Sequence, residues 1–241
     1  PVFIKLFFNL LAFSFSSSNN MKSKGKENLS ESIQEMGTTF IKLGQFLATR
    51  PDIIGEKLSK ELESLQDKLP PFSKKEAEKI IIENLGQSNF ADIIDLSEPI
   101  AAASIAQVHK AKIKEDNIIK NVAIKVLRPN IKKIFNDEID AIMLLAYIVE
   151  SLVSKTKRLK LIEVVFLFKE ITNHEMDLRF EAAAANEYAE NTKNDLGFFV
   201  PKIYWNFTSE SVLTLDWVDG VSIREKDLLK EKNIETSKIA T

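Results

Sequence analysis

A lysine between β-branched neighbours, V-A-I-K-V at 122–126, is the first feature of this chain that could do chemistry. An ammonium carried on a strand can hold a phosphate or pair with a carboxylate. Just upstream, where a phosphate-holding loop would need glycine, the sequence reads A-A-A-S-I-A-Q-V-H at 101–109. Alanine offers less backbone freedom than glycine, so the loop raises the question of how it could cover phosphates. Downstream, E-M-D-L-R-F-E at 175–181 supplies three carboxylates. Asp177 and Glu181 are four apart and share a helical face, whereas Glu175 points elsewhere. Far upstream, in K-L-G-Q, Lys42 and Gln45 lie with Thr38 and Thr49 on a polar stripe. Met36, Phe40, Leu43 and Leu47, at 4-3-4 spacing, form the apolar stripe opposite. On local sequence alone, plainer readings stand beside these. Lys125 reads as an outward lysine on an edge strand, and the Lys42 stripe as a solvated helix face.

The bulk numbers narrow the chemistry. The chain has 241 residues, 44% hydrophobic and 28% charged, enough for one large domain or two small ones. Net charge is −2, from 33 basic and 35 acidic residues, so nothing global points to a nucleic-acid partner. With no cysteine there is no disulfide, no thiolate metal site and no thiol nucleophile, which is compatible with the cytosol. The two histidines, His109 and His174, are far apart, and His174-Glu175 lacks the second histidine a zincin helix needs. No metal site is expected among these residues.

The elements that must position the candidates are legible as periodicities. Residues 1–15, PVFIKLFFNLLAFSF, are apolar but shorter than the roughly 18 to 20 residues that span a bilayer. Two readings stay open for this segment: a helix touching a membrane, or one packing on other parts of the protein. Residues 28–95 read as a helical unit, with a helix ended by Pro51, a second over about 56–68, and a third opened by a Ser73/Glu76 capping box and closed near Gly86. Between Gln87 and Leu196 there is no glycine. Ile105–Ile113 and Val122–Leu127 read as paired strands joined by the polar hairpin KEDNIIKN. Helices are expected over about 131–155 and 161–191, then strands at VPKIYWNF and SVLTLDWVDG, then a helix capped by Ser222 and Glu225. The division expected is 1–27, 28–95 and 96–241.

In order, K-L-G-Q followed by T-R-P-D, A-A-A-S-I-A-Q-V-H, V-A-I-K-V and E-M-D-L-R-F-E-A-A-A-A-N-E resemble the UbiB (aarF-type) family of atypical, protein-kinase-like ATPases over roughly residues 31–225. The resemblance implies an α+β fold, a kinase-like N-lobe with an antiparallel sheet and long helices, preceded by an all-helical K-x-G-Q extension. Lys125 would bind ATP or ADP phosphates with Glu181 as its helix partner. Lys42 and Gln45 would project towards the nucleotide pocket, Lys42 close to Glu175, with Asp177 beside it. Ala101, Ala102 and Ala103 would replace the glycine-rich loop. Ser104 and Gln107 would contact phosphate, though a satisfied turn and a strand face read equally well. Leu215 would be the gatekeeper and Asp216, Trp217 and Val218 the hinge, where backbone groups do the work.

The H-x-D-x-x-x-x-N and D-F-G motifs do not occur in the sequence. The expectation is a chain that lacks the C-lobe and is inactive by itself, with Mg²⁺ ligands beyond residue 241. For the whole protein, the resemblance implies a kinase-like ATPase or phosphotransferase supporting ubiquinone biosynthesis, with a lipid or ubiquinone precursor and biosynthetic enzymes as partners. The expected location is the cytoplasm, at the inner membrane of a bacterium. The alternative is a nucleotide-responsive regulatory partner of those enzymes that transfers no phosphate. The label of polyprenylphenol hydroxylase sometimes given to the family finds no flavin or iron motif here.

Overall fold

The sheet is built by alternation. In β4 (Ile118–Leu127) the side chains of Val122, Ile124 and Val126 are fully buried on one face, while Ala123 and Lys125 take the other. The computed structural model describes Ile33, residues 36–63, Leu65, residues 69–223 and residues 225–234. The two readings of residues 1–15 therefore lie outside the described residues.

β3 (Ala106–Glu115) pairs antiparallel with β4 along its whole length, from Ala106 opposite Leu127 to Glu115 opposite Ile118. The connection is a two-residue turn of Asp116 and Asn117, both at positive φ, 51° and 63°. Two such residues give the turn whose twist suits a hairpin, and Asp and Asn tolerate it best after glycine. β2 (Pro99–Ala102) and β1 (Ile93–Ile94) both lie along β3, and β5 (Val212–Asp216) closes the far edge against β4. The result is a five-stranded antiparallel sheet in an α+β fold, in the layout of a kinase-like N-lobe.

Each face has its own core. On one side Ile81 of α4 (Lys74–Ala91) packs with Ala111, Ile113, Val122, Ile124, Tyr204 and Phe207. Ser73 and Glu76 form the expected capping box at the start of α4, and Gly86, at φ 83°, kinks it before Ala91. On the other side α5 (Ile131–Leu152), α6 (Leu161–Glu175) and α7 (Leu178–Asn191) bury Phe135, Ile139, Phe168, Met176, Leu178 and Ala182 with Leu213 of β5. Phe40 of α1 (Thr38–Ala48) joins this second cluster, so the upstream helices share a core with the lobe.

Several expectations are corrected. The helix expected over 161–191 is two, because Asp177 leaves the helical region (φ −120°, ψ 98°) and its side chain accepts the N–H of Arg179 as the N-cap of α7. The preceding helix stops at Leu152, short of the expected 155, and a 3-10 segment, Ser154–Leu159, follows. VPKIYWNF is not a strand: Ile203 makes one isolated bridge to Leu215, and Trp205–Phe207 is a 3-10 turn. Upstream, Met36 lies outside α1, because Gly37 at φ 103° stands at its N-cap. Pro51 does end α1's run, and it also starts a short helix α2 (Pro51–Ile54) ahead of α3 (Glu56–Leu62), which ends earlier than the expected 68. The last helix, α8 (Lys226–Glu231), begins after Glu225, which makes no side-chain cap. The Ser222 carbonyl accepts the Glu225 N–H, so that pair closes a turn ahead of the helix and does not open it.

Candidate functional site

Lys125 occupies the central strand, opposite Val108 of β3 and Leu213 of β5. Its Nζ donates to Glu181 Oε2 at 2.6 Å. The pair is open to solvent, with side chains 27% and 49% exposed. α7 is aligned for this contact at its first turn, where the Leu178 N–H is anchored on the Glu210 carbonyl at 2.9 Å. Next to this pair along the same sheet face, by the pairing of β4 with β5, come Ala123 and Leu215.

The alanine loop needs no glycine. None of Ala101, Ala102 and Ala103 is at positive φ, so each sits in a conformation that alanine adopts without strain. Ala102 pairs with Gln107, and the Ala103 N–H closes the tip on the Ala106 carbonyl at 2.8 Å. Ser104 at the tip is fully buried.

Gln107 is not brought to Lys125. The register that sets Val108 opposite Lys125 puts Gln107 on the other sheet face. There its carboxamide grips the backbone of Phe72, accepting from the N–H at 2.9 Å and donating to the carbonyl at 3.2 Å. The same Nε2 meets His109 Nε2 at 2.9 Å. Since an amide nitrogen only donates, His109 Nε2 accepts, and its Nδ1–H donates to the Ser97 carbonyl at 2.9 Å. Burial holds the His109 pKa below its ordinary value.

Lys42 Nζ of α1 lies 2.7 Å from Glu175 at the end of α6. Gln45, one turn on, is half-buried. Asp177 is separate from that pair. Its carboxylate takes the Arg179 guanidinium in a fork at 2.9 and 2.6 Å, which holds its pKa below the usual carboxylate range. It lines an open cavity of about 360 Å³ with Lys132, Asn136, His174, Phe180 and Glu210. Burial lowers the pKa of Lys132, partly offset by Asp177.

At the end of β5, the Asp216 carboxylate turns back to accept the Tyr204 hydroxyl at 2.5 Å. Burial first, then this bond, raises the Tyr204 pKa. The Trp217 N–H donates to the Asn121 carbonyl, and Lys110 Nζ lies 4.3 Å over the Trp217 ring. The backbone of Val218 has no partner among the described residues, and its side chain is half exposed.

Three further residues position the chain, and of these only Gly44, the glycine of K-L-G-Q, lies in a motif. Gly44 sits where α1 meets α3, and a Cβ there would lie 2.4 Å from Leu65 Cδ1. A glycine inside an 11-residue helix was the available signal. Phe72 and Arg128 gave none, since their partners are remote in sequence.

A strand lysine paired with a helix carboxylate, on a five-stranded antiparallel sheet packed against helices, is the arrangement of a protein-kinase-like N-lobe. The chain belongs to the ABC1 atypical kinase-like domain family, which it matches over residues 64–241. It is similar to the "Probable protein kinase UbiB" of Marinobacter nauticus, 32% identical over 241 residues, all of this chain and 43% of the relative. The proteins of the same name from Cellvibrio japonicus and Tolumonas auensis are 34% identical over 89% of the chain and 35% identical over 88%, covering 38% and 39% of those proteins. The chain therefore spans about two-fifths of the length of these relatives.

Proposed function

We propose that this lobe binds ATP or ADP, with Lys125 on the α- and β-phosphates and Glu181 holding its ammonium in place. The observation that carries the reading is the 2.6 Å Lys125–Glu181 contact. Adenine would lie between Ala123, Leu215 and the backbone of residues 216–218, where Val218 leaves its donor and acceptor free among the described residues. Ala101–Ser104 would cover the phosphates through those backbone N–H groups that the strand pairing leaves open, the Ala103 N–H being spent on the Ala106 carbonyl. Lys42, Gln45 and Glu175 would bring the helical extension into the pocket's wall, supported by the Lys42–Glu175 pair.

Magnesium does not fit the residues described. No group of three or more His, Asp or Glu among them is placed to hold a metal ion. Glu175 and Asp177 are committed to Lys42 and Arg179. In this reading any Mg²⁺ is held by other parts of the longer protein.

The whole protein, in this proposal, is a kinase-like ATPase or phosphotransferase that supports ubiquinone biosynthesis beside a bacterial membrane. The ubiquinone context rests on the family resemblance. Among the described residues no helix is long and apolar enough to cross a membrane. Surface association is supported by α5, whose outer face exposes Leu144, Tyr147, Ile148 and Leu152 next to Lys157 and Arg158. The test is ATP binding and turnover by the full-length protein, with and without anionic vesicles. Absence of nucleotide binding overturns the proposal. Binding without turnover would turn it into the regulatory reading.

A further inference from the structure

The residue after the V-A-I-K strand, Arg128, holds both ends of the alanine-loop tip. Its N–H donates to the Ile105 carbonyl at 2.8 Å. Its guanidinium donates to the Ala103 carbonyl through Nε at 3.1 Å and Nη2 at 2.9 Å. The remaining edge reaches the linker that joins the upstream helices to α4, with Nη1 donating to the Pro70 carbonyl at 3.0 Å. The Phe72 ring stands 5.9 Å from the guanidinium carbon. Phe72 is in turn gripped by Gln107, so the linker is tied at two neighbouring points to the strands that carry the loop.

This geometry has an electrostatic consequence. Bonded to a guanidinium, the Ala103 carbonyl is turned back towards the end of β4. A carbonyl oxygen facing a phosphate would repel it, so a loop that covers phosphates must direct its N–H groups there and its oxygens elsewhere. Only a planar fork with several donors can hold two carbonyls from segments 25 and 58 positions away.

We infer that Arg128 is a positioning residue of the nucleotide site. It orients the alanine loop and locks that loop to the linker of the helical extension, so that a movement of either is transmitted to the other. The inference rests on the reading of the loop as a nucleotide cover.

The experiment uses the full-length protein and its Arg128→Gln, Arg128→Lys and Gln107→Leu variants, with the double variant of Arg128→Gln and Gln107→Leu. Hydrogen exchange is followed without nucleotide at the amides of Ala103 and Phe72. These amides are bonded to the Ala106 carbonyl and to Gln107, not to Arg128, so faster exchange reports loosened segments and not a bond removed directly. Arg128→Gln is expected to speed both by roughly tenfold, with Arg128→Lys between it and the wild type. Gln107→Leu should speed Ala103 exchange when Arg128 is present and add nothing when it is absent. Acceleration confined to one segment, or additive effects, would overturn the coupling. With ATP, Arg128→Gln should raise Kd by roughly tenfold at nearly unchanged melting temperature. Both segments loosened with ATP affinity unchanged would make Arg128 a brace alone and overturn its role at the site. A wild-type protein that binds no ATP would remove the nucleotide reading, while the exchange data would still judge the coupling.

Discussion

Lys125 and Glu181 are 56 positions apart, yet β4 and α7 bring ammonium and carboxylate to 2.6 Å. At 27% and 49% exposure the pair is screened, so it is worth about 0.2–1 kcal/mol to the fold, not the roughly 3–5 kcal/mol that breaking a buried pair costs. Lys125→Ala should therefore lower the unfolding free energy by no more than about 1 kcal/mol. In the full-length protein it should weaken ATP binding roughly tenfold or more, the worth of a hydrogen bond to a charged group. Denaturant melts and ATP titrations on one preparation separate the two effects. Unchanged affinity would remove Lys125 from the phosphate site.

Ala102 tests why the loop has alanine. Its backbone is not at positive φ and it pairs with Gln107, so glycine has no steric advantage there and adds freedom to the unfolded chain. Ala102→Gly should cost about 0.5–1 kcal/mol of stability. Under the nucleotide reading it should also shift the preference between ATP and ADP. An identical preference in both proteins would leave the loop a packing element only.

The sequence carried the sheet in its alternation. Val122, Ile124 and Val126 are buried and Lys125 is turned away from them, because a period of two leaves a strand no other choice. The capping box of Ser73 and Glu76 was equally local, since both residues lie within one turn. The place of Gln107 is not local. Which face it takes depends on the pairing of β3 with β4, and its partner Phe72 lies 35 positions upstream. In the sequence Asp177 reads as a helix-interior neighbour of Glu181, because neither glycine nor proline marks the break, and only its cap on Arg179 reveals it. Local patterns named the chemistry, whereas distant hydrogen bonds decided which residues are spent on holding the chain.

Gly44 makes a packing prediction. Gly44→Ala gains about 1 kcal/mol of helix propensity and presses on the movable end of the Leu65 side chain, so the net change should be small. Gly44→Val adds two branches in the same gap between α1 and α3 and should cost about 1–3 kcal/mol. Thermal melts of the two variants should diverge. Equal melting temperatures would show that the helices part without cost.

His109 makes a prediction about pH. It is fully buried and held below its ordinary pKa of 6.5, chiefly by burial. The unfolded chain thus takes up a proton at that site before the folded one does. Its contribution is complete above about pH 6.5 and is lost as pH falls towards the depressed folded value. Urea melts between about pH 7 and pH 5 should show stability falling, with a shallower slope in His109→Gln. Parallel slopes would mean that other groups set the dependence.

The Lys42–Glu175 contact decides whether the upstream helices belong to the site. At 2.7 Å, with side chains 17% and 42% exposed, the pair should couple by about 0.2–1 kcal/mol in a stability cycle of Lys42→Ala, Glu175→Ala and the double variant. That result alone would mark an ordinary surface bridge between α1 and α6. The informative cycle is the one on nucleotide affinity in the full-length protein. If the extension forms part of the pocket wall, each single change alters ATP affinity and the double change is not their sum, because removing either partner releases the other towards the phosphates. Lys42 left without Glu175 would be a free cation near an anion and should tighten ATP, whereas Glu175 left without Lys42 should weaken it. Opposite signs for the two single variants are therefore the signature expected, and additive effects near zero on ATP affinity would return Lys42 to a bridge that holds one helix to another.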